Sequence, residues 1–350
     1  MINVLHVGKT EKKKVVTMGE IMLRLAPPNY QMIEQAQSME VVYGGGEANV
    51  AVSLSKLGLK SSFVSKLPNN PIGLSAEHHL NQFGVSTEHM IYGGDRLGIY
   101  FLEKGFSVRP SKIIYDRNNS SFAMSTIDEY DFEETFSDAD WFHISGITPA
   151  LNKKLFQIAK QALIIAKEKG LTTSCDLNYR SSLWSFDKAR EKMAELMEYV
   201  DVCIGVEPLQ LLGENGNDLK DQLPKNPSVE DYKEIIFEIQ QRFDIKYLAM
   251  TFRESLSVNR NRLQAILSDG KTIYQSSKLE VEIVDRVGTG DSFSAGLIYS
   301  LINHFEPEVA IEFATGCFAL KHTIEGDMNL LTASEVEQFI KQKDSFSIRR

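Results

Sequence analysis

Apolar residues recur along this chain in two alternating rhythms. Short runs that are apolar throughout, or at every second position, read as strands; longer runs with apolar positions three and four apart read as helices. Residues 15–18 form a buried first strand ending in Gly19-Glu20. Leu23 and Leu25 mark a second, which must stop or lie at an edge because Pro27-Pro28 follows. Val41-Val42-Tyr43 leads into three glycines, Gly44 to Gly46, and then a helix completed by Val52, Leu54 and Leu57 and closed by Gly58. Residues 60–94 read as a βαβ unit, with a strand over 62–66, a helix over 74–83 closed by Gly84, and a short strand over 89–91. The runs 97–104 and 112–117 are rich in β-branched and aromatic residues, with no helix pattern between them. Together with residues 22–43 they predict a small sheet inserted into an otherwise alternating chain. Such a sheet needs a partner for its exposed face.

From residue 141 the alternation is regular. Strands are predicted over 141–144, 172–176, 202–206 and 247–251, with helices over 152–169, 188–199 and 227–242 between them. A hairpin over 263–269 and 271–275 turns through Asp269-Gly270, and 279–284 alternates as a half-buried strand. Helices then start near Ser292, Glu308 and Ser334. The pattern predicts a mostly parallel sheet covered by helices on both faces. Ligands of such sheets sit at the carboxyl ends of the strands, where Asp176, Glu207, Thr251 and the 288–291 run all fall.

The most informative chemistry follows the 279–284 strand: Asp285-Arg286-Val287-Gly288-Thr289-Gly290-Asp291-Ser292-Phe293. A glycine turn entering a buried helix offers backbone N–H groups without intrahelical partners, with the positive end of the helix dipole behind them. Gly288 and Gly290 allow close approach, which makes the turn an anion cradle suited to phosphate. The dinucleotide fingerprint does not fit, because its third glycine would fall at Phe293. Phosphate-loop motifs at Gly8-Lys9-Thr10 and Gly270-Lys271-Thr272 lack their first glycine, which Asn3 and Ala265 replace. Asp291 alone is most often a helix cap. Beside an anion hole it also suits the removal of a proton from an attacking hydroxyl. The three glycines at 44–46 exceed what a plain turn needs and point to close approach of a ligand.

Composition narrows the partners. With 38 basic and 47 acidic residues the net charge is −9, against a nucleic-acid or anionic-membrane surface as the main partner. No run reaches the ~18 apolar residues of a membrane span. Cys175, Cys203 and Cys317 are scattered without metal-ligand spacing and read as reduced, buried thiols. No metal ligands are named by the sequence. Residues 1–14 carry neither a signal-peptide core nor a cleavage site and read as an extension ahead of a domain over 15–350, in a cytoplasmic protein.

The run Asp-x-x-Gly-x-Gly-Asp-x-Phe resembles the second signature of the ribokinase-like (PfkB) carbohydrate kinases. The 43–52 run, Tyr-Gly-Gly-Gly-Glu-Ala-Asn-Val-Ala-Val, is similar to the first signature region, most like its form in the 2-keto-3-deoxygluconate kinases. Residues 19–25 and 319–327 share that likeness, which spans roughly residues 15–340. The resemblance implies a three-layer α/β sandwich with a mostly parallel central sheet and a small β lid from about 22–43 and 95–123. It implies a sugar site of Gly45, Gly46, Asn49, Tyr100, Tyr115 and Arg117, with Arg180 reaching toward an acid sugar and the transferred phosphate. Asn178, Thr251, Gly288 and Gly290 would meet the nucleotide; Gly288, Thr289, Gly290 and Arg180 would assist Asp291, the implied base. The implied cofactors are ATP with Mg²⁺ and a monovalent cation such as K⁺; the implied assembly is a homodimer or larger homo-oligomer through the lid.

Two family elements differ here. Where members carry Asn-x-x-Glu, this chain has Gly205-Val206-Glu207-Pro208-Leu209, and where they carry Thr-x-Gly-x-x-Gly it has Thr251-Phe252-Arg253-Glu254-Ser255-Leu256. The expected reaction is phosphorylation of the primary hydroxyl of a sugar acid, 2-keto-3-deoxygluconate first, because Arg117 and Arg180 favour an anionic substrate. A fructokinase or other neutral-sugar kinase is the alternative within the class, and a non-catalytic sugar sensor the alternative outside it.

Overall fold

A computed structural model describes residues 12–225 and 227–342. In chain order it begins with β1 (Lys14–Met18), β2 (Met22–Ala26), β3 (Glu40–Gly44), α1 (Gly46–Leu57), β4 (Lys60–Val64), β5 (Lys66–Leu67) and α2 (Pro71–Asn81). Next come β6 (Val85–Ser86), β7 (Ile91–Tyr92), β8 (Gly98–Glu103), β9 (Lys112–Asp116) and the short α3 (Phe132–Thr135). The alternation continues with β10 (Trp141–Ser145), α4 (Ile147–Ala150), α5 (Lys153–Glu168), β11 (Thr172–Asp176), α6 (Phe186–Met197), β12 (Val202–Ile204) and α7 (Val229–Phe243). The last part holds β13 (Tyr247–Ser257), β14 (Arg260–Ser268), β15 (Ile273–Gln275), β16 (Leu279–Glu282), α8 (Thr289–Ile302), α9 (Pro307–Lys321) and α10 (Ala333–Gln342).

The main sheet runs β15-β14-β13-β12-β11-β10-β1-β4-β6, with β16 also pairing β14. From β13 to β6 every pairing is parallel; β14, β15 and β16 add antiparallel strands at one side. The parallel strands are buried on both faces, which is why they read as unbroken apolar runs. Neighbours along a strand serve opposite layers: Val16, Phe142 and Cys203 face the core under α5, α6 and α7, while Val15, Trp141 and Val202 face that under α1, α8 and α9. Within α5, Leu155, Ile158, Ala159, Ala162, Leu163 and Ala166 keep the 3.6-residue stripe and are all buried. Its Asn152 cap accepts from the N–H groups of Lys154 and Leu155, worth about 1 kcal/mol. A Cβ on Gly296 in α8 would lie 2.9 Å from the Ala314 Cα of α9, so the two helices cross closely because this position is glycine.

Two boundaries need correction. Lys14 belongs to β1, paired opposite Lys60, so the ordered fold begins inside the expected 1–14 extension; residues 1–11 lie outside the described residues. The strand expected over 247–251 runs on to Ser257, because β14 supplies antiparallel partners for Phe252 to Ser255 and, past a bulge at Leu256, for Ser257, with Arg253 opposite Leu263. Thr251 therefore sits within a strand, opposite Ala265, rather than at a strand end.

The inserted sheet is four-stranded, in the order β3-β2-β8-β9, with β2 ending at Ala26 just ahead of the two prolines. Its outer strand β9 is exposed along its whole length, Ile114 at 53%. The sheet folds over the carboxyl ends of the parallel strands, so that Tyr100 of β8 hydrogen-bonds Asp327, beyond the end of α9.

Candidate active site

Between lid and main sheet lies one cleft of about 360 Å³. Its floor is the start of α8. Gly288 precedes the helix at φ +77°, and a Cβ there would fall 1.7 Å from the Asp327 carbonyl oxygen, so only glycine turns the chain at this point. The first intrahelical bond is made by Ser292 N–H to Gly288 O, which leaves the Thr289, Gly290 and Asp291 amides ahead of it. A Cβ on Gly290 would meet nothing within 4 Å. That open space lets an anion approach the amides directly, and it fits a phosphate group.

Asp291 stands one turn into this floor. Its Oδ2 accepts from Asn49 Nδ2 of α1 at 2.7 Å, and Gly46 is close enough that an added Cβ would lie 3.7 Å from Oδ1. Burial pushes the Asp291 carboxyl up to about 7, against the Asn49 hydrogen bond; the negative Asp176 raises it further and Arg180 opposes. Asp176 ends β11, accepts from the Asn178 N–H at 3.1 Å, and is raised by burial to about 6. Asn178 and Arg180 follow it along the cleft wall.

Of the residues expected at the sugar, Gly45, Gly46 and Asn49 line the cleft from the α1 side, and Tyr100, Tyr115 and Arg117 line it from the lid. Asn178, Arg180 and the 288–291 turn complete it. Thr251 is not among its walls; Arg253, two residues along the same strand face, is. The glycine triplet also serves packing within the protein. Added Cβ atoms would fall 2.1 Å from Asp327 Oδ2 at Gly44 and 2.0 Å from Glu20 O at Gly45, so packing within the protein demands those two. At Gly46, which lines the cleft with Gly45, an added Cβ would meet nothing closer than Asp291 Oδ1 at 3.7 Å and Ser145 at 3.9 Å.

The lid residues are also engaged within the protein. Tyr100 is 3% exposed, and its hydroxyl donates to Asp327 Oδ2. Arg24 of β2, 1% exposed, bridges Asp285 at 2.7 Å and Asp327 at 2.6 Å, which ties the lid to the 285–291 turn. Arg117 donates from Nε to Glu20 Oε2 at 2.8 Å, a buried carboxylate that Ser120 also reaches. Its guanidinium carbon lies 5.7 Å from the Tyr115 ring centre, and the Tyr115 ring 5.9 Å from that of Tyr100.

The α8 side is different. Arg180, Arg253 and Arg286 line the cleft there and make no ion pair with a carboxylate among the described residues. Arg253 NH2 donates to Thr289 Oγ1 at 3.2 Å, and Arg286 NH2 to Val258 O at 2.7 Å. Burial, and then the neighbouring Arg286 and Arg180 charges, hold the Arg253 guanidinium below its ordinary value.

Glu47 was not singled out from the sequence, yet it is a buried carboxylate in this cleft. It accepts from Ser145 N–H at 3.0 Å and Thr148 Oγ1 at 2.7 Å, and burial raises it to about 7. A carboxylate directly after the glycine triplet, in the first turn of a helix of mostly apolar residues, was the available signal. Glu207 is occupied elsewhere, accepting from Arg190 Nε and NH2 at 3.3 and 2.6 Å. The three cysteines are free and buried, their thiols pushed up by burial. Among the described residues no group of three His, Cys, Asp or Glu side chains gathers as a metal site, and no helix is long and apolar enough to cross a membrane.

The profile of the pfkB family carbohydrate kinases matches residues 12–333. The chain is similar to 2-dehydro-3-deoxygalactonokinase of Haloferax volcanii, 34% identical over 332 residues that cover 95% of this chain and 98% of that one. The crystal structure of 2-dehydro-3-deoxygluconokinase from Thermotoga maritima is similar with a TM-score of 0.88 at 44% identity, over 94% of this chain and 99% of that one. The fructokinase of Xylella fastidiosa with bound ATP shares the fold, with a TM-score of 0.75 at 18% identity over 95% of this chain and all of that one (100%).

Proposed function

The chain belongs to the pfkB family of carbohydrate kinases, and from that premise we propose that it phosphorylates the primary hydroxyl of an acidic keto-sugar, 2-keto-3-deoxygluconate or its galactonate epimer, with ATP as donor. The observation that carries this reading is Asp291, held by Asn49 one turn into a helix whose free amides face a cleft with unpaired arginines. In the proposed step Asp291 accepts the proton of the sugar hydroxyl while that oxygen attacks the γ-phosphorus in line. The 288–291 amides hold the charge that develops on the transferred group. Magnesium, when bound with the donor, would be held mainly by phosphate oxygens and water and would supply neutralising charge to the phosphates. Tyr115 and the Arg117–Glu20 pair orient the sugar from the lid, whose closure excludes water as a competing acceptor.

The acid-sugar argument rests on Arg180. Arg117 is balanced by Glu20, so Arg180 is the expected sugar-side group whose charge is left for a carboxylate. A monovalent cation near the anion hole, a dimer joined through the exposed β9 faces, and a cytoplasmic location belong to the same reading. The test is ADP release from MgATP with purified protein and a panel of 2-keto-3-deoxygluconate, its galactonate epimer, fructose, ribose, gluconate and adenosine. Selective turnover of an acidic keto-sugar is expected. Turnover of fructose or ribose alone keeps the kinase and rejects the acid-sugar pocket; sugar binding without turnover of any acceptor rejects catalysis.

A further inference from the structure

We propose that Arg253 holds the phosphate chain of the donor nucleotide, so that the donor is recognised at this point through its polyphosphate and not its base. The inference rests on the kinase reading but not on which sugar is the acceptor. The run 251–256 is strand throughout, laddered against β14 from Thr251 to Ser255 with a bulge at Leu256, and so it forms no glycine loop around a phosphate. What it offers instead is one guanidinium. Arg253 is fixed from two directions: NH2 donates to Thr289 Oγ1 at 3.2 Å, and its guanidinium carbon sits 5.3 Å from the Phe318 ring centre. A planar fork anchored in this way keeps other N–H groups for a ligand, with little entropy left to lose.

Its neighbours identify the ligand class. Arg286 and Arg180 are close enough to disfavour its charge, and among the described residues none of the three makes an ion pair with a carboxylate, Arg180 acting on Asp176 and Asp291 at longer range. Three guanidinium groups at the N-terminus of a helix are mutually repulsive until an anion lies between them. The acceptor end of the cleft is marked by Asp291, Asn49 and Gly46. Arg253 enters from β13 and meets the helix start at Thr289, next to Arg286, which is itself tied to the β13–β14 turn at Val258. A sugar carboxylate at the Asp291 end brings one negative charge; a triphosphate laid across the α8 start brings several to the side where Arg253 stands. The chemistry that fits is a nucleoside triphosphate held by its phosphates.

Calorimetry on the full chain, without any acceptor, tests this with two probes: ADP, and inorganic tripolyphosphate, which has the phosphates and no base. Loss of a charge-assisted bidentate contact should weaken both about 10–100-fold in Arg253→Gln. In turnover assays the KM for ATP should rise by a similar factor while the KM for the acceptor stays within about threefold. Arg253→Lys, which keeps the charge but not the fork, should lose a smaller factor in tripolyphosphate affinity, and it carries the test should the glutamine variant fold poorly. Unchanged tripolyphosphate affinity in a folded variant overturns the proposal. So does a rise in acceptor KM with ATP KM unmoved, since that would place Arg253 on the sugar carboxylate. Because the calorimetry needs no acceptor, it reports on Arg253 even if every sugar in the panel fails.

Discussion

The two sides of the cleft treat arginine in opposite ways. On the lid side, Arg24 lies between Asp285 and Asp327, and Arg117 lies against Glu20. On the α8 side, Arg180, Arg253 and Arg286 face the same cavity with no carboxylate paired to them. Buried charges matched within the chain hold the lid in register with the 285–291 turn, and removing one leaves the other stranded. Cations left unmatched beside a helix N-terminus favour an anionic ligand instead. The same residue type thus serves architecture on one side and substrate on the other, and the partner decides which.

The largest effect should come from the carboxylate that both sides face. Asp291→Asn should lower kcat by about 10²–10⁴-fold while the protein melts no lower than the wild type at pH 8. An unchanged kcat would remove Asp291 from the role of base.

The next test contrasts the two kinds of arginine directly. Arg24→Met should destabilise the fold by about 3–5 kcal/mol in urea titration, because it strands Asp285 and Asp327 in a buried site. Arg180→Gln should change stability by less than about 1 kcal/mol, because the residue is exposed and unpaired, yet weaken the anionic substrate about 10–100-fold. Equal melting of Arg24→Met and wild type would break the comparison.

The smallest effect is a pH dependence with a definite sign. Burial raises Asp291 from 3.8 to about 7 and Glu47 from 4.5 to about 7. Between about pH 4 and 7 the folded state therefore holds protons that the unfolded chain has released, so these groups make stability fall as pH rises through that window. Glu47→Gln should flatten the decline in melting temperature measured between pH 5 and 8. In activity the sign is reversed: kcat/KM should rise with pH along a limb near 7, as Asp291 becomes a base. Asp176→Asn should move that limb to lower pH, since the Asp176 charge is one of the causes that raise Asp291. A limb that stays in place would separate the two carboxylates.

Much of the fold was legible because its signals are local. Strands such as β10 and β11, covered on both faces, show as apolar runs, and α5 shows its stripe within one window of sequence. The Gly288–Asp291 turn was legible for the same reason: strand, glycines and helix adjoin. The extension of β13 was not, since residues 254–257 are exposed and carry no apolar alternation; the strand exists because β14 pairs with it. Arg253 was hidden with it. The packing that demands glycine at 44 and 45 was not legible, because what fills the space beside them, Asp327 and the Glu20 carbonyl, comes from elsewhere in the chain.

The sequence by itself determined the layers, the order of elements, the anion-binding turn and the acid at its first helical turn. Those depend on side-chain period and turn chemistry, which act over a few residues. Tertiary structure alone decided which charges are spoken for. Arg24 and Asp327 are 303 positions apart, and Arg253 and Thr289 are 36. Coulombic pairing acts through space over a few ångströms and takes no account of that separation, so only the folded chain sorts the arginines that fasten the lid from those left for a phosphate.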